Sequence, residues 1–280
     1  MWTFVHLICK SPIARLRLIA ERFPPVGQQR RWFFVDVPLT GVDRASYGLE
    51  VGLQESSGDR SVDHEIHSFL ETAHREGLIK EAEIATASFV LVPKLFLQEF
   101  IPTSFVNALA IGSLRATDIL RTIYSIGASR ASWGMVHDEF ATIYRELIPN
   151  PNQRLMALDW HATWLKEFAA HTSNESESDL AAKQDKTGIH VSIEPIHRYL
   201  RISKVLTREI EAMVEQLEKA QIASRPTANV LRATVVARLA HIQAVRLWGP
   251  DYSNEPHYEG LILRQLTESR TVSAYPKESS

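Results

Sequence analysis

The chain has 280 residues, 45% hydrophobic and 23% charged, with a formal net charge of -2. That is the balance of a globular protein with one sizeable core or two modest ones, and it excludes a global field that would draw nucleic acid or an anionic membrane. The single cysteine excludes an intramolecular disulfide framework and a thiolate metal cluster. No basic, apolar secretion signal opens the chain, so a cytoplasmic protein is expected.

Trp2 to Ile8 is apolar, aromatic and β-branched and predicts a buried strand, with Cys9 expected as a buried residue rather than a nucleophile. Ile13, Leu16, Ile19 and Ala20 recur at helical spacing, with Arg15, Arg17 and Arg22 on the other sides. They predict a helix over 11–23 that Pro24-Pro25 ends. Trp32 to Val37 and Tyr47 to Leu53 predict two more strands, and the order of elements predicts a ferredoxin-like, split βαβ start. Ser61 or Asp63 can cap a helix running to Glu76, with Ile66, Phe69, Leu70 and Ala73 buried and Gly77 at its exit. Ile84 to Val92 predicts a fourth strand. The apolar stretch 89–114 is interrupted by Pro93, Lys94, Gln98, Glu99, Pro102 and Asn107, too often to span a bilayer.

Helices follow from Leu114. Leu114, Ile119, Leu120, Ile123 and Ile126 form one stripe; Val136, Phe140, Ile143, Tyr144, Leu147 and Ile148 form another, stopped by Pro149-Asn150-Pro151. Leu155 to Ala170 makes a third helix, and the polar segment 172–187 reads as a loop. Ile202, Leu206, Ile210, Met213 and Leu217 form a core-facing seam, with a partner stripe of Leu231, Val235, Leu239, Ile242 and Val245 on a helix starting near Pro226. The expected architecture is α+β: a sheet region over 1–112, a mainly helical region over 113–266 and a disordered polar tail over 267–280, joined as one integrated domain.

No phosphate-cradling glycine loop and no Gly-x-Ser-x-Gly elbow is present. His64 and His67 share a helix face, and His137-Asp138-Glu139 and Asp159-Trp160-His161 add carboxylates, but no extended metal motif accompanies them, so no metal site is expected. His241 reads as a hydrogen-bonded core residue, and Trp133, Trp160 and Trp164 as core side chains. The segment Trp248-Gly249-Pro250-Asp251-Tyr252-Ser253-Asn254-Glu255-Pro256-His257-Tyr258 is different. Gly249-Pro250 breaks the last long helix, and the positions beyond it read equally as a helix connector and as a loop that carries proton-transfer groups, His257 among them as an acceptor.

The block Arg31-Trp32-Phe33-Phe34-Val35, the helix before it, and the run Tyr47-Gly48-Leu49-Glu50-Val51-Gly52-Leu53 with its following helix resemble the small proteins and C-terminal domains related to lantibiotic dehydratases, the thiopeptide-type bacteriocin biosynthesis proteins. In members that eliminate glutamate from glutamylated serines, the second run carries a His-Leu-Arg-Leu-Arg-like motif. Glu50 and Gly52 stand at its arginine positions, so the resemblance implies a retained scaffold without the elimination chemistry. Related pyridine synthases join two dehydroalanines of an azole-bearing peptide in a formal (4+2) cycloaddition, with loss of water and of the leader peptide. They use a Trp, a Ser and a Tyr near the C-terminus, which Trp248, Ser253 and Tyr258 match in order and approximate spacing. The acidic residue of their N-terminal half has no counterpart here.

The resemblance implies a cofactor-free synthase. Tyr258 or Tyr252 would donate to the reacting amide or the leaving hydroxyl, Ser253 would orient that amide, and Trp248 would stack on an azole. Its partner would be the leader-bearing precursor peptide, and Arg15, Arg22 and Arg31 suit an acidic leader. Other biosynthetic enzymes and a second copy of the chain are further expected partners; nucleic acid and membrane are not. The alternatives are a glutamate-elimination subunit of a split dehydratase and a non-catalytic peptide-binding scaffold.

Overall fold

A computed structural model describes residues 2–25, 31–37, 47–54, 61–85, 87–88, 91, 103–169, 197–219, 227–249 and 255–271. The chain divides into two compact units. The first comprises Met1–Ala131, Val191–Arg198 and Val245–Pro250; the second comprises Ser132–His190, Tyr199–Ala244 and Asp251–Ser280. The class is α+β, as the pattern of elements predicts.

In the first unit β1 (Trp2–Cys9), α1 (Pro12–Arg22), β2 (Trp32–Val37), β3 (Tyr47–Gln54), α2 (Ser61–Arg75) and β4 (Ile79–Ala85) follow one another. The strands form one antiparallel sheet in the order β2-β3-β1-β4, the arrangement of two interleaved split βαβ units. Ser11 starts α1, its hydroxyl accepting from Ala14 N at 3.1 Å, with Pro12 in the first turn. Gly77 ends α2 at φ +71°, where Gly77 N donates to His74 O and Leu78 N to Ala73 O. Cys9 is fully buried, and burial pushes its thiol up to about 12, which removes it as a nucleophile.

Three expectations for this unit shift. The fourth strand is Ile79–Ala85 rather than Ile84 to Val92. It is an edge strand with Lys80, Glu81 and Glu83 exposed, so it lacks the apolar alternation that advertises a strand. α3 (Thr103–Ser125) begins well before Leu114, so the boundary expected at 112 falls inside it. Its buried face includes Ser104, Ala108, Gly112, Ser113 and Ala116, small residues that let it lie close on β2, and among them Phe105 and Leu109 are the only large apolar side chains buried before Leu114.

One register fixes the upper face of the sheet. Gly52 of β3 lies opposite both Phe4 of β1 and Phe33 of β2. A Cβ at Gly52 would meet the Phe33 ring at 2.4 Å. Phe33 is fully buried against Trp2 and Phe4, at ring-centroid distances of 5.4 and 6.5 Å. No side chain fits at position 52.

The second unit is helical: α4 (Trp133–Leu147), α5 (Pro151–Ala169), α6 (Leu200–Lys219), α7 (Ala228–Trp248, whose last turn belongs to the first unit) and α8 (Glu255–Thr271). Asn150 starts α5, its Oδ1 accepting from Asn152 N and Gln153 N, with Pro151 in the first turn. Arg154 turns back to donate to Ile148 O and Pro149 O, both at 2.9 Å, and so closes the end of α4. The seam Ile202, Leu206, Ile210, Met213 and Leu217 is buried throughout, as is the stripe from Leu231 to Val245. α8 corrects two expectations: the chain is helical again from Glu255, inside the expected loop, and stays so to Thr271, into the expected tail. Pro256 hid this start, since a proline in a first turn looks like a breaker yet forfeits no hydrogen bond. The segment expected as a loop over 172–187 lies outside the described residues. Among those described, no helix is long and apolar enough to cross a membrane.

Replacing Gly52 by Ala is expected to cost about 1–3 kcal/mol by overpacking. Urea denaturation measures this, and Phe33→Leu in the same chain should recover part of the loss.

Candidate functional site

Four helices of the second unit bring one buried carboxyl group between two histidines. Glu259, on α8, is fully buried. Its Oε1 accepts from His241 Nδ1 of α7 at 2.8 Å. Its Oε2 lies 3.5 Å from His161 Nε2 of α5, an electrostatic contact rather than a closed hydrogen bond, which leaves both atoms without a hydrogen-bond partner. His161 Nδ1 is 2.7 Å from the Tyr144 hydroxyl of α4.

Helical spacing explains the grouping. Phe140 and Tyr144 stand four apart on α4, and His161 and Trp164 three apart on α5, so each pair shares a face. The His161 ring stacks on Phe140 and Tyr144 and tilts against Trp164, which meets the His241 ring edge-on at 5.6 Å.

The protons can be placed by chemistry. Burial works to raise the Glu259 carboxyl, but the charge of His241, its hydrogen bond and the His161 ring facing the other oxygen outweigh it and hold it at about 2. An ionised carboxylate only accepts, so His241 Nδ1 and His161 Nε2 carry protons. His161 Nδ1 is then the acceptor and Tyr144 the donor. Burial, with the charge of Glu259 added, pushes the Tyr144 hydroxyl well above its ordinary value and keeps it protonated. Burial also lowers His161, which keeps that ring neutral.

The series Tyr144–His161–Glu259 therefore leads to His241, whose side chain is 22% exposed. Among the described residues, no group of three or more His, Cys, Asp or Glu could hold a metal ion.

A second pair of this kind lies on the sheet of the first unit. Glu50, at one of the two motif positions, is fully buried, and its Oε2 lies 3.2 Å from Nε2 of His6, directly across on β1. Ser88 donates its hydroxyl to Glu50 Oε1. The His6 side chain is 18% exposed.

The residues expected from sequence fall elsewhere or beyond description. Trp248 ends α7 in the first unit, half-buried, and Gly249 stops that helix at φ +85°. Tyr252 and Ser253 lie outside the described residues. His257 and Tyr258 open α8, with backbones that are helical and side chains outside description. Arg15 is buried and bonded through two nitrogens to Asp36, so it offers no charge to a peptide at the surface. Arg22 is paired with Glu76, and Arg31 is exposed, donating to Asn107 Oδ1 at 3.0 Å. His64 and His67 are exposed on α2. Trp133, Trp160 and Trp164 are half-buried rather than core residues. Sequence reasoning missed the role of Glu259, one residue beyond the segment it singled out; the signal it held was the matched aromatic and histidine spacing on α4 and α5.

No family model matches this chain, and no curated protein matches it in sequence. In structure it is similar to the tRNA-dependent lantibiotic dehydratase MibB from Microbispora sp. 107891, with a TM-score of 0.60 over 98% of this chain and 15% identity. The fold is thus lantibiotic-dehydratase-like. The chain spans 28% of the length of MibB.

Acid is expected to destabilise this cluster. Glu259, at about 2 when folded and near 4.5 when unfolded, contributes stability above 4.5 that is lost as the pH falls toward 2. His161, lowered from 6.5, also favours the folded chain less as the pH drops below 6.5, because the unfolded chain then binds the extra proton. Circular-dichroism melts should show Tm falling on acidification, and Glu259→Gln should flatten the part of the fall that lies below 4.5.

Proposed function

We propose that this protein is a peptide-modifying cyclase of thiopeptide biosynthesis, a pyridine synthase acting on a leader-bearing, azole-containing peptide with two dehydroalanines. What carries this reading is Gly52. On a lantibiotic-dehydratase-like fold, the strand expected to hold two arginines for glutamate elimination holds Glu50 and a glycine walled in by Phe33. An elimination site needs positive charge for a departing carboxylate. This strand supplies none.

In the proposed reaction one dehydroalanine reacts through the iminol tautomer of its neighbouring amide, as an aza-diene, and the other supplies the alkene. Two carbon–carbon bonds, from the methylene and the iminol carbon of the aza-diene to the two alkene carbons, close the six-membered ring. The iminol oxygen leaves as water and the leader leaves as its amide, which gives the pyridine. Holding the two ends in attack geometry contributes up to about 7–11 kcal/mol. The remaining steps move protons only. His241, oriented by Glu259, is suited to take the amide proton and to return one to a leaving group, and Tyr258 and Ser253 would hold the amide. A fold like that of a dehydratase also favours glutamate elimination as a second reading, and the same assay separates the two.

The test is mass spectrometry of the purified protein with a leader-bearing bis-dehydroalanine peptide. The expected outcome is free leader amide and a macrocycle lighter by the leader and one water. His241→Gln, which keeps a donor to Glu259, should slow this step about 10²–10⁴-fold without lowering Tm. Loss of glutamate from a glutamylated-serine peptide would favour the elimination reading instead, and binding without any mass change would favour a scaffold.

A further inference from the structure

A groove in the second unit, between the start of α5 and the start of α7, has a cavity of about 320 Å³. Its walls are apolar: Met156 and Trp160 from α5, Val230 and Ala233 from α7. Met156 is 60% exposed and Val230 38%, so two of the large hydrophobic side chains left at the surface converge on one place. Such convergence marks a contact surface rather than scattered surface apolarity.

The groove also holds a cation. Arg232, on α7, lines it beside Gln153. Its Nη1 makes a long contact of 3.4 Å to Gln153 Oε1, while its Nε–H is buried and meets no acceptor. A buried guanidinium donor without an acceptor is costly, and a carboxylate is the group whose geometry a guanidinium matches best.

We infer that this groove is a binding site for the C-terminal residue of a peptide ending in an apolar amino acid. The carboxylate bonds Arg232 and the side chain lies on Trp160, Met156 and Val230. A terminal residue carries both groups on one Cα, which suits a cavity of this size. An internal Asp or Glu would bring its charge with peptide groups on both sides, and only Gln153, Thr227 and Asn229 among the lining residues are neutral polar groups that could meet them. The inference is independent of the cyclisation reading.

The test titrates the full-length chain with acetyl-Ala-Ala-Leu bearing a free carboxylate, and with its carboxamide. The Trp160 indole resonance reports binding, assigned with Trp160→Phe. The carboxylate peptide is expected to bind about tenfold tighter than the amide. Arg232→Gln should abolish that preference. Met156→Glu, at an exposed position where folding is unaffected, should weaken the carboxylate peptide to a similar degree. Equal binding of acid and amide, a preference that survives Arg232→Gln, or no indole shift at millimolar peptide would overturn the inference. An internal-aspartate peptide, acetyl-Ala-Asp-Leu-amide, that binds as tightly as the free acid would overturn the assignment to a C-terminus.

Discussion

The first unit depends on how one buried edge strand satisfies its outward-facing backbone. All six residues of β2 are buried, yet among the described residues β2 pairs with a strand on one side only. Its other edge cannot turn to water. At Phe34 the two outward groups are met by side chains: Phe34 N donates to Ser113 Oγ at 3.0 Å, and Phe34 O accepts from Arg246 Nε at 2.7 Å. Arg246 also donates to Leu109 O, lies over the Phe34 ring and accepts from Arg15 through its own carbonyl. Arg15 in turn holds Asp36, whose carboxyl burial pushes up against the opposing charges of Arg15 and Arg246. Two buried side chains, Ser113 of α3 and Arg246 of the last turn of α7, thus serve the edge where a strand partner would bond. Removing one member of such a network typically costs about 3–5 kcal/mol, because the charge left behind has no partner.

The two glutamate–histidine pairs answer to a different logic. Replacing a buried ionic group with well-packed apolar residues is often neutral or stabilising. Stability alone therefore does not ask for Glu50 behind His6, nor for Glu259 behind His241. In both pairs the carboxyl is fully buried and the imidazole reaches outward. A carboxyl so placed fixes the ring and its tautomer. Strand pairing in the first case and helix packing in the second spend that burial on orienting a ring.

The elements that could be read from sequence were those whose own burial imposes a period. β1, β2, β3 and the α6 seam are buried on a face or throughout, and their apolar spacing shows it. β4 is an exposed edge, α3 packs through small residues and α8 starts on a proline, so each hides the signal that names its class. The His241–Glu259–His161–Tyr144 cluster could not be read for another reason. Its members come from four helices, and no local spacing relates α4 and α5 to α7 and α8. His161 and His241 were visible only singly, as residues of a type that is usually satisfied in a core. Arg15 shows the converse: a helical arginine with charged neighbours looks like surface until Asp36 is found behind it.

The change at the β3 face is built into packing, and that limits what chemistry it can serve. An arginine at position 52 is blocked by the Phe33 ring, and Phe33 is itself held by Trp2 and Phe4. Restoring the guanidinium would mean rebuilding an aromatic cluster across three positions. Position 50, where the resemblance to eliminating relatives would place an arginine, holds an acidic side chain bonded by Ser88 and His6. A leaving group that departs as a carboxylate would meet the wrong field there. Leaving groups that depart as neutral molecules would not, and water and an amide are of that kind. The sign of the charge on one strand is therefore a constraint on any reaction proposed for this fold, and the cyclisation proposed above is compatible with it.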